Sequence, residues 1–133
     1  KIINELNNKN IKLNITAVCT STQTLKILKK INKKTKIIIS IFVGRMADAG
    51  HDPMPEIKNS VKFARRYKNV EILWASTREP YNYLQSKQIN CHIITIPPSI
   101  IEKIEKFGKS FNKLTIDTVK TFLIDSKKSK FTI

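Results

Sequence analysis

The chain has 133 residues, enough for one domain with a sizeable core and hardly two. A hydrophobic content of 41% with three glycines excludes a disordered tail, and no apolar run approaches the length that spans a bilayer. Lysine and arginine number 25 against 10 acidic residues, a net charge of +15 that invites a nucleic-acid reading, yet the lysines run along every helical stretch without aromatic interleaving, so neither a specific nucleic acid nor a membrane is expected as a partner.

The first element is a helix over Lys1–Lys9, with Ile2, Ile3 and Leu6 at helical spacing. The chain is already inside this pattern at Lys1 and shows no signal peptide there, so it reads as a fragment or split chain whose beginning lies elsewhere. Ile11–Val18 is predicted as a strand, with Ile11, Leu13, Ile15 and Ala17 on one face and Asn14, Thr16 and Val18 on the other. Thr20 and Ser21 are placed to cap a helix over Thr22–Asn32, whose apolar stripe is Leu25, Leu28 and Ile31.

Lys36–Val43 is the strongest strand signal, a β-branched run broken only by Ser40, as expected of a parallel strand buried on both faces. Gly44 and Arg45 follow it at once, and MADAGHDPMP then reads as a long polar loop feeding a helix from about Pro55 that carries Ile57, Val61 and Ala64. Val70–Ala75 is a third strand ended by Ser76-Thr77-Arg78. Glu79–Lys87 is a helix with Tyr83 and Leu84 facing in, and Cys91–Ile96 a fourth strand stopped by Pro97-Pro98. Ser99–Phe107 and Leu114–Lys128 complete the helices.

Repeated β–α units imply parallel strands, in a small open sheet or in half of an eight-stranded barrel. A P-loop and a GxGxxG fingerprint are both absent. Cys19 and Cys91 belong to no metal-spacing pattern and read as reduced thiols of a cytoplasmic protein; no metal and no cofactor are expected. His51 is expected in a solvated loop, His92 in the core, and Trp74, Phe42 and Phe122 in packing.

The chemistry gathers at the strand ends. Asn14 and Thr16 belong to the first strand, Ser40 and Arg45 to the second, Ser76 and Arg78 to the third. If strand geometry persists, Ser76 and Arg78 point the same way as Ile72 and Trp74. Only four arginines occur, at 45, 65, 66 and 78, in a chain whose default cation is lysine. Two arginines and two hydroxyls at one end of a sheet suit a phosphate; the alternative is that Arg45 and Arg78 pair with Asp48, Asp52 or Glu79.

The segments NITAVCT, SIFVGRMADAGHDP, LWASTRE and CHIITIPPSII resemble the later strands of the transaldolase family, closest to its small fructose-6-phosphate aldolase-like members, from about Ile11 to the C-terminus. The resemblance implies the C-terminal half of a (β/α)8 TIM barrel, residues 1–133 forming one partial domain whose partner is the missing N-terminal half and which forms a homo-oligomer when complete. It implies a sugar-phosphate substrate and a Schiff base between a lysine and a ketose phosphate. The bond between the third and fourth carbons is then cleaved, and dihydroxyacetone is transferred or released. By position, Arg45 and Arg78 resemble the phosphate-binding arginines, with Ser76 beside them. Asn14 and Ser40 resemble residues that hold the dihydroxyacetone moiety, and Thr16 the threonine that places the catalytic water. The family's lysine lies on the strand before NIT, so neither Lys9 nor Lys12 inherits its role and the isolated chain is expected to be inactive. The other readings are a catalytically inactive sugar-phosphate-binding module and, more weakly, a basic nucleic-acid binder.

Overall fold

Strand β2 (Ile37–Phe42) is the spine of the molecule, because its alternate side chains Ile37, Ile39 and Ile41 are each 1% exposed or less. A computed structural model describes residues 2–129; Lys1, the first residue of the predicted N-terminal helix, lies outside them. The remaining strands are β1 (Leu13–Val18), β3 (Val70–Ala75) and β4 (Ile93–Ile94), all parallel in one sheet of order β1-β2-β3-β4. A spatial order that repeats the sequence order, with a helix after each strand, makes this an α/β fold and half of a (β/α)8 barrel.

The helices are α1 (Ile2–Asn8), α2 (Ser21–Leu28), α3 (Val43–Asp48), α4 (Met54–Ala64), α5 (Tyr81–Gln88), α6 (Pro98–Ile104) and α7 (Phe111–Ser129). Ile57, Val61 and Ala64 of α4 and Ile27 and Leu28 of α2 join the odd-numbered isoleucines of β2, with Ile72 and Trp74 of β3, in one apolar core on one face of the sheet. The opposite face carries Asn14, Thr16, Ile38 and Phe42, which stay exposed or half-buried, with Ser40 buried between them.

Several expectations are corrected. The inward face of α2 is Thr24, Ile27 and Leu28, not Leu25, because the Thr24 hydroxyl meets the Ser60 hydroxyl of α4 at 2.9 Å in the helix–helix contact. The helix also ends at Leu28, short of Asn32. In α5 the buried residues are Asn82 and Ser86; Tyr83 is half-buried and Leu84 exposed, since Asn82 turns inward to bind backbone N–H groups. The loop after Gly44-Arg45 is helical at its start, as α3, and β4 is two residues instead of six. The alternation of β1 breaks where Ala17 takes φ 58°, so Val18, not Ala17, reaches the core. His92 is exposed rather than buried; its Nδ1 accepts the Ile72 N–H at 3.1 Å, supplying an acceptor to β3 beside the short β4.

At the N-terminal ends of the strands the turns are tied by amides. Asn7, fully buried, accepts the Asn32 N–H on its side chain, and its carbonyl accepts from Asn32 Nδ2. Asn69 Nδ2 donates to the carbonyls of Asn32 and Thr35 at 2.9 and 2.7 Å. Helix α7 stands apart: none of its residues is buried, and Phe111 and Phe122 are 88% and 67% exposed, so Phe122 is not a core residue within this chain. None of the described helices is long and apolar enough to cross a membrane.

Candidate functional site

The C-terminal ends of the four strands lead into the segments 19–20, 43–53, 76–80 and 95–97, where Arg45, Ser76 and Arg78 lie, while Asn14, Thr16 and Ser40 stand on the strands themselves. Asn14 and Thr16 of β1 share the open face with Ser40 of β2, because Asn14 pairs in register with Ile38. Ser40, a residue 3% exposed, donates its hydroxyl to Asn14 Oδ1 at 2.7 Å, and the Asn14 amide nitrogen has no hydrogen-bond partner among the described residues. Thr16 is exposed one step nearer the strand end.

Arg45 and Arg78 leave from different elements. Arg45 is the third residue of α3 and is exposed. Arg78 follows β3, but strand geometry does not persist to it: Ser76 takes φ 67°, which turns the chain and breaks the parity with Ile72 and Trp74. The turn is fixed from both sides. Thr77, buried, donates its hydroxyl to the Thr95 carbonyl at 2.6 Å, fastening the end of β3 to the residue after β4. Asn82 Oδ1 accepts the N–H groups of Arg78 and Glu79 at 3.1 and 3.2 Å, closing the first turn of α5.

Of the ion pairs weighed for the arginines, one is present among the described residues. Arg78 lies edge-on to Asp48 of α3: Nη2 donates to Oδ2 at 2.6 Å, and Nε to Oδ1 and Oδ2 at 3.2 and 3.1 Å. The pair is about half exposed. The hydrogen bonds from Arg78 hold the Asp48 carboxyl below the usual carboxylate range, with the charges of Arg78 and Arg45 adding to the effect, and Asp48 in turn raises Arg78. Asp48 therefore also feels the charge of Arg45, although Arg45 makes no ion pair among the described residues.

Two cavities flank Arg78. One of about 270 Å³ opens over the ends of β3 and β4, lined by Ser76, Thr77, Arg78, Thr95, Ile96 and Pro97. The other, about 320 Å³, lies between α3 and α5 and includes Gly44, Asp48, Arg78, Glu79 and Asn82. Reasoning from sequence missed Thr77 and Asn82, and Gly44 as a packing residue; the one available signal was Asn82, an amide four residues after Arg78 at the start of a helix. No group of three or more metal-ligating side chains occurs among the described residues. Cys19 and Cys91 are free and partly buried, and burial pushes the Cys91 thiol up.

Comparison with known proteins gives the relatives of the chain as a whole. The family model described as Transaldolase/Fructose-6-phosphate aldolase matches residues 1–133. A "Probable transaldolase" of Herpetosiphon aurantiacus is 31% identical over 126 residues, covering 94% of this chain and 53% of the relative. Proteins of the same description from Nitrosopumilus maritimus and Methanococcus maripaludis are 30% and 32% identical over 132 and 127 residues, covering 98% and 94% of this chain and 55% and 54% of theirs. The chain thus spans about half the length of the curated relatives it matches.

Proposed function

Because the chain belongs to the transaldolase/fructose-6-phosphate aldolase family, we propose that it is the phosphate- and donor-binding half, residues 1–133, of a Schiff-base enzyme acting on ketose phosphates in the cytoplasm. The observation that carries the reading is the β3 terminus. A turn fixed by Thr77 and Asn82 presents a forked guanidinium, Arg78, beside a strand-end cavity that Ser76 and Thr95 also line.

In this proposal Arg78 and Arg45 take the phosphate of the ketose, with Ser76 as a further donor. The Asn14 amide, oriented by its bond from Ser40, binds the hydroxyls of the dihydroxyacetone unit, and Thr16 holds the water used to hydrolyse the intermediate. The amine that condenses with the ketose carbonyl, losing water, is supplied from outside this chain. The polypeptide that supplies it covers the open face of the sheet, where Asn14, Thr16 and Ile38 stand partly or fully exposed. The unburied apolar side chains of α7 support assembly into a homo-oligomer.

Two experiments test this. Borohydride reduction in the presence of fructose 6-phosphate should leave every lysine of this chain unmodified while trapping a dihydroxyacetone adduct elsewhere in the complete enzyme; a stoichiometric adduct on one of these lysines, read by mass spectrometry, overturns the assignment. In the same enzyme Arg78→Lys should lower kcat/KM for fructose 6-phosphate roughly ten- to a hundredfold, and by more than it lowers that for fructose, because lysine keeps the charge and loses the fork. Equal losses on both sugars would make Arg78 a structural residue.

A further inference from the structure

Asp48 stands three residues after Arg45 and thirty before Arg78, on the last turn of α3. Its contact with Arg78 is not a stability device of any weight: both side chains are about half exposed, and exposed pairs contribute little. The contact is nonetheless well defined in geometry, with three N–H···O bonds from one edge of the guanidinium to both carboxylate oxygens. An arginine carries five N–H donors in a planar fork. The Nε/Nη2 edge is spent on Asp48; on the other edge Nη1 has no hydrogen-bond partner among the described residues, and Nη2 makes no bond there beyond the one to Asp48. That free edge is itself a two-pronged donor of the shape a phosphate accepts.

We propose that Asp48 is a positioning residue for anion binding: it grips one edge of the Arg78 guanidinium so that the other edge is presented, already oriented, to the phosphate of the substrate. The proposal rests on the phosphate reading of Arg78 given above. The charges are compatible with it. Asp48 lies between the charges of Arg45 and Arg78 and screens the two guanidinium groups from each other, while Asp52 and Glu79 line the cavity on the α3 side, so the attraction for a phosphate rests on the oriented donors of Arg78 and not on a surplus of charge. Without Asp48 the guanidinium loses the bonds that orient it, and the entropy of fixing it falls on the binding step instead.

The test is titration of inorganic phosphate into the complete enzyme by calorimetry, beside KM for fructose 6-phosphate. Asp48→Ala should weaken phosphate about three- to tenfold, as expected for one long side chain that must be immobilised on binding, and raise KM by a similar factor with kcat little altered. Asp48→Asn, which keeps the shape and one acceptor oxygen, should fall between wild type and Ala, and serves if the Ala variant folds poorly. In an Arg78→Ala background, Asp48→Ala should no longer weaken phosphate binding, since positioning acts through Arg78 and what is left is the removal of a negative charge. Unchanged or tighter phosphate binding in Asp48→Ala overturns the inference, the second outcome making Asp48 a competitor for the fork. An undiminished Asp48 effect without Arg78 also overturns it. If Arg78→Ala itself leaves phosphate affinity intact, the phosphate reading falls and this inference with it; if Arg78→Ala abolishes binding and Asp48→Ala does nothing, only the inference falls.

Discussion

Replacing Gly44 by alanine sets two effects of opposite sign against each other. Gly44 is buried in the first turn of α3, and by helix propensity alone alanine there would gain about 1 kcal/mol. A β-carbon at this position, however, would overlap the Ser76 carbonyl oxygen outright and stand 2.9 Å from both the Ser76 carbonyl carbon and Arg78 Cγ. Two of these three atoms are backbone, in a residue already held at φ 67° and followed by Thr77, which is fastened to the Thr95 carbonyl. The obstruction therefore cannot swing aside as a side chain would. Overfilling a packed site costs typically 1–3 kcal/mol, and a backbone clash belongs at or beyond the top of that range, so a net loss of about 2–3 kcal/mol is expected after the propensity gain is deducted. For a chain of this length that corresponds to a fall in Tm of roughly 8–12 °C. Urea denaturation followed by circular dichroism measures it, with an unchanged m-value showing that the native state is what has been destabilised. Gly50→Ala is the control: its β-carbon meets nothing, but its φ of 80° strains any side chain, so a loss of about 1 kcal/mol is expected. A Gly44→Ala protein as stable as wild type would mean that the 76–78 turn is free to move off α3, and the argument for a fixed Arg78 would fail.

Two further outcomes follow from the packing. The Glu56 carboxylate accepts the Ser21 N–H, capping α2 from α4, and this bond holds its pKa below the usual glutamate value of 4.5. A depressed folded-state pKa stabilises above the unfolded value and is lost as pH falls through the folded one, so Glu56→Gln should cost about 0.5 kcal/mol near neutrality, discounted for its exposure, and progressively less below about pH 4.5; a pH-independent difference refutes the capping role. Phe122→Asp together with Leu123→Asp on α7 should leave the fold's melting unchanged, because neither side chain packs within the chain, while reducing the assembly size by light scattering; an unchanged particle mass removes α7 from the interface.

What could be read from the sequence was what burial writes into it. The runs at Ile37–Val43 and Val70–Ala75 were legible because a central parallel strand demands apolar residues, largely β-branched in the first run and apolar except for Glu71 in the second. The inward faces of α2 and α5 were not, because Thr24 and Asn82 are buried for hydrogen bonds that no apolar periodicity records. Helix α3 went unseen because it follows β2 without a break and opens on Val43-Gly44 with no side-chain cap. At the site, the arginine types pointed to anion chemistry, and Asp48 was named only as one of three alternative partners. The direction of Arg78 was out of reach, since it depends on a left-handed serine that strand parity cannot anticipate.

The amide lattice beneath the strands has a consequence of its own. In a chain of net charge +15, the turns at that end are tied by Asn7, Asn32, Thr35 and Asn69, none of which titrates or carries charge. Ionic strength that screens the cation-rich surface, or acid that protonates Asp48 and Glu56, therefore has no direct purchase on the groups tying those turns. The bonds that align the strands are neutral although Lys33, Lys34, Lys36 and Lys68 flank them, so counterions and buffer can retune the charges around Arg45, Asp48 and Arg78 while the alignment of the strands stays the same.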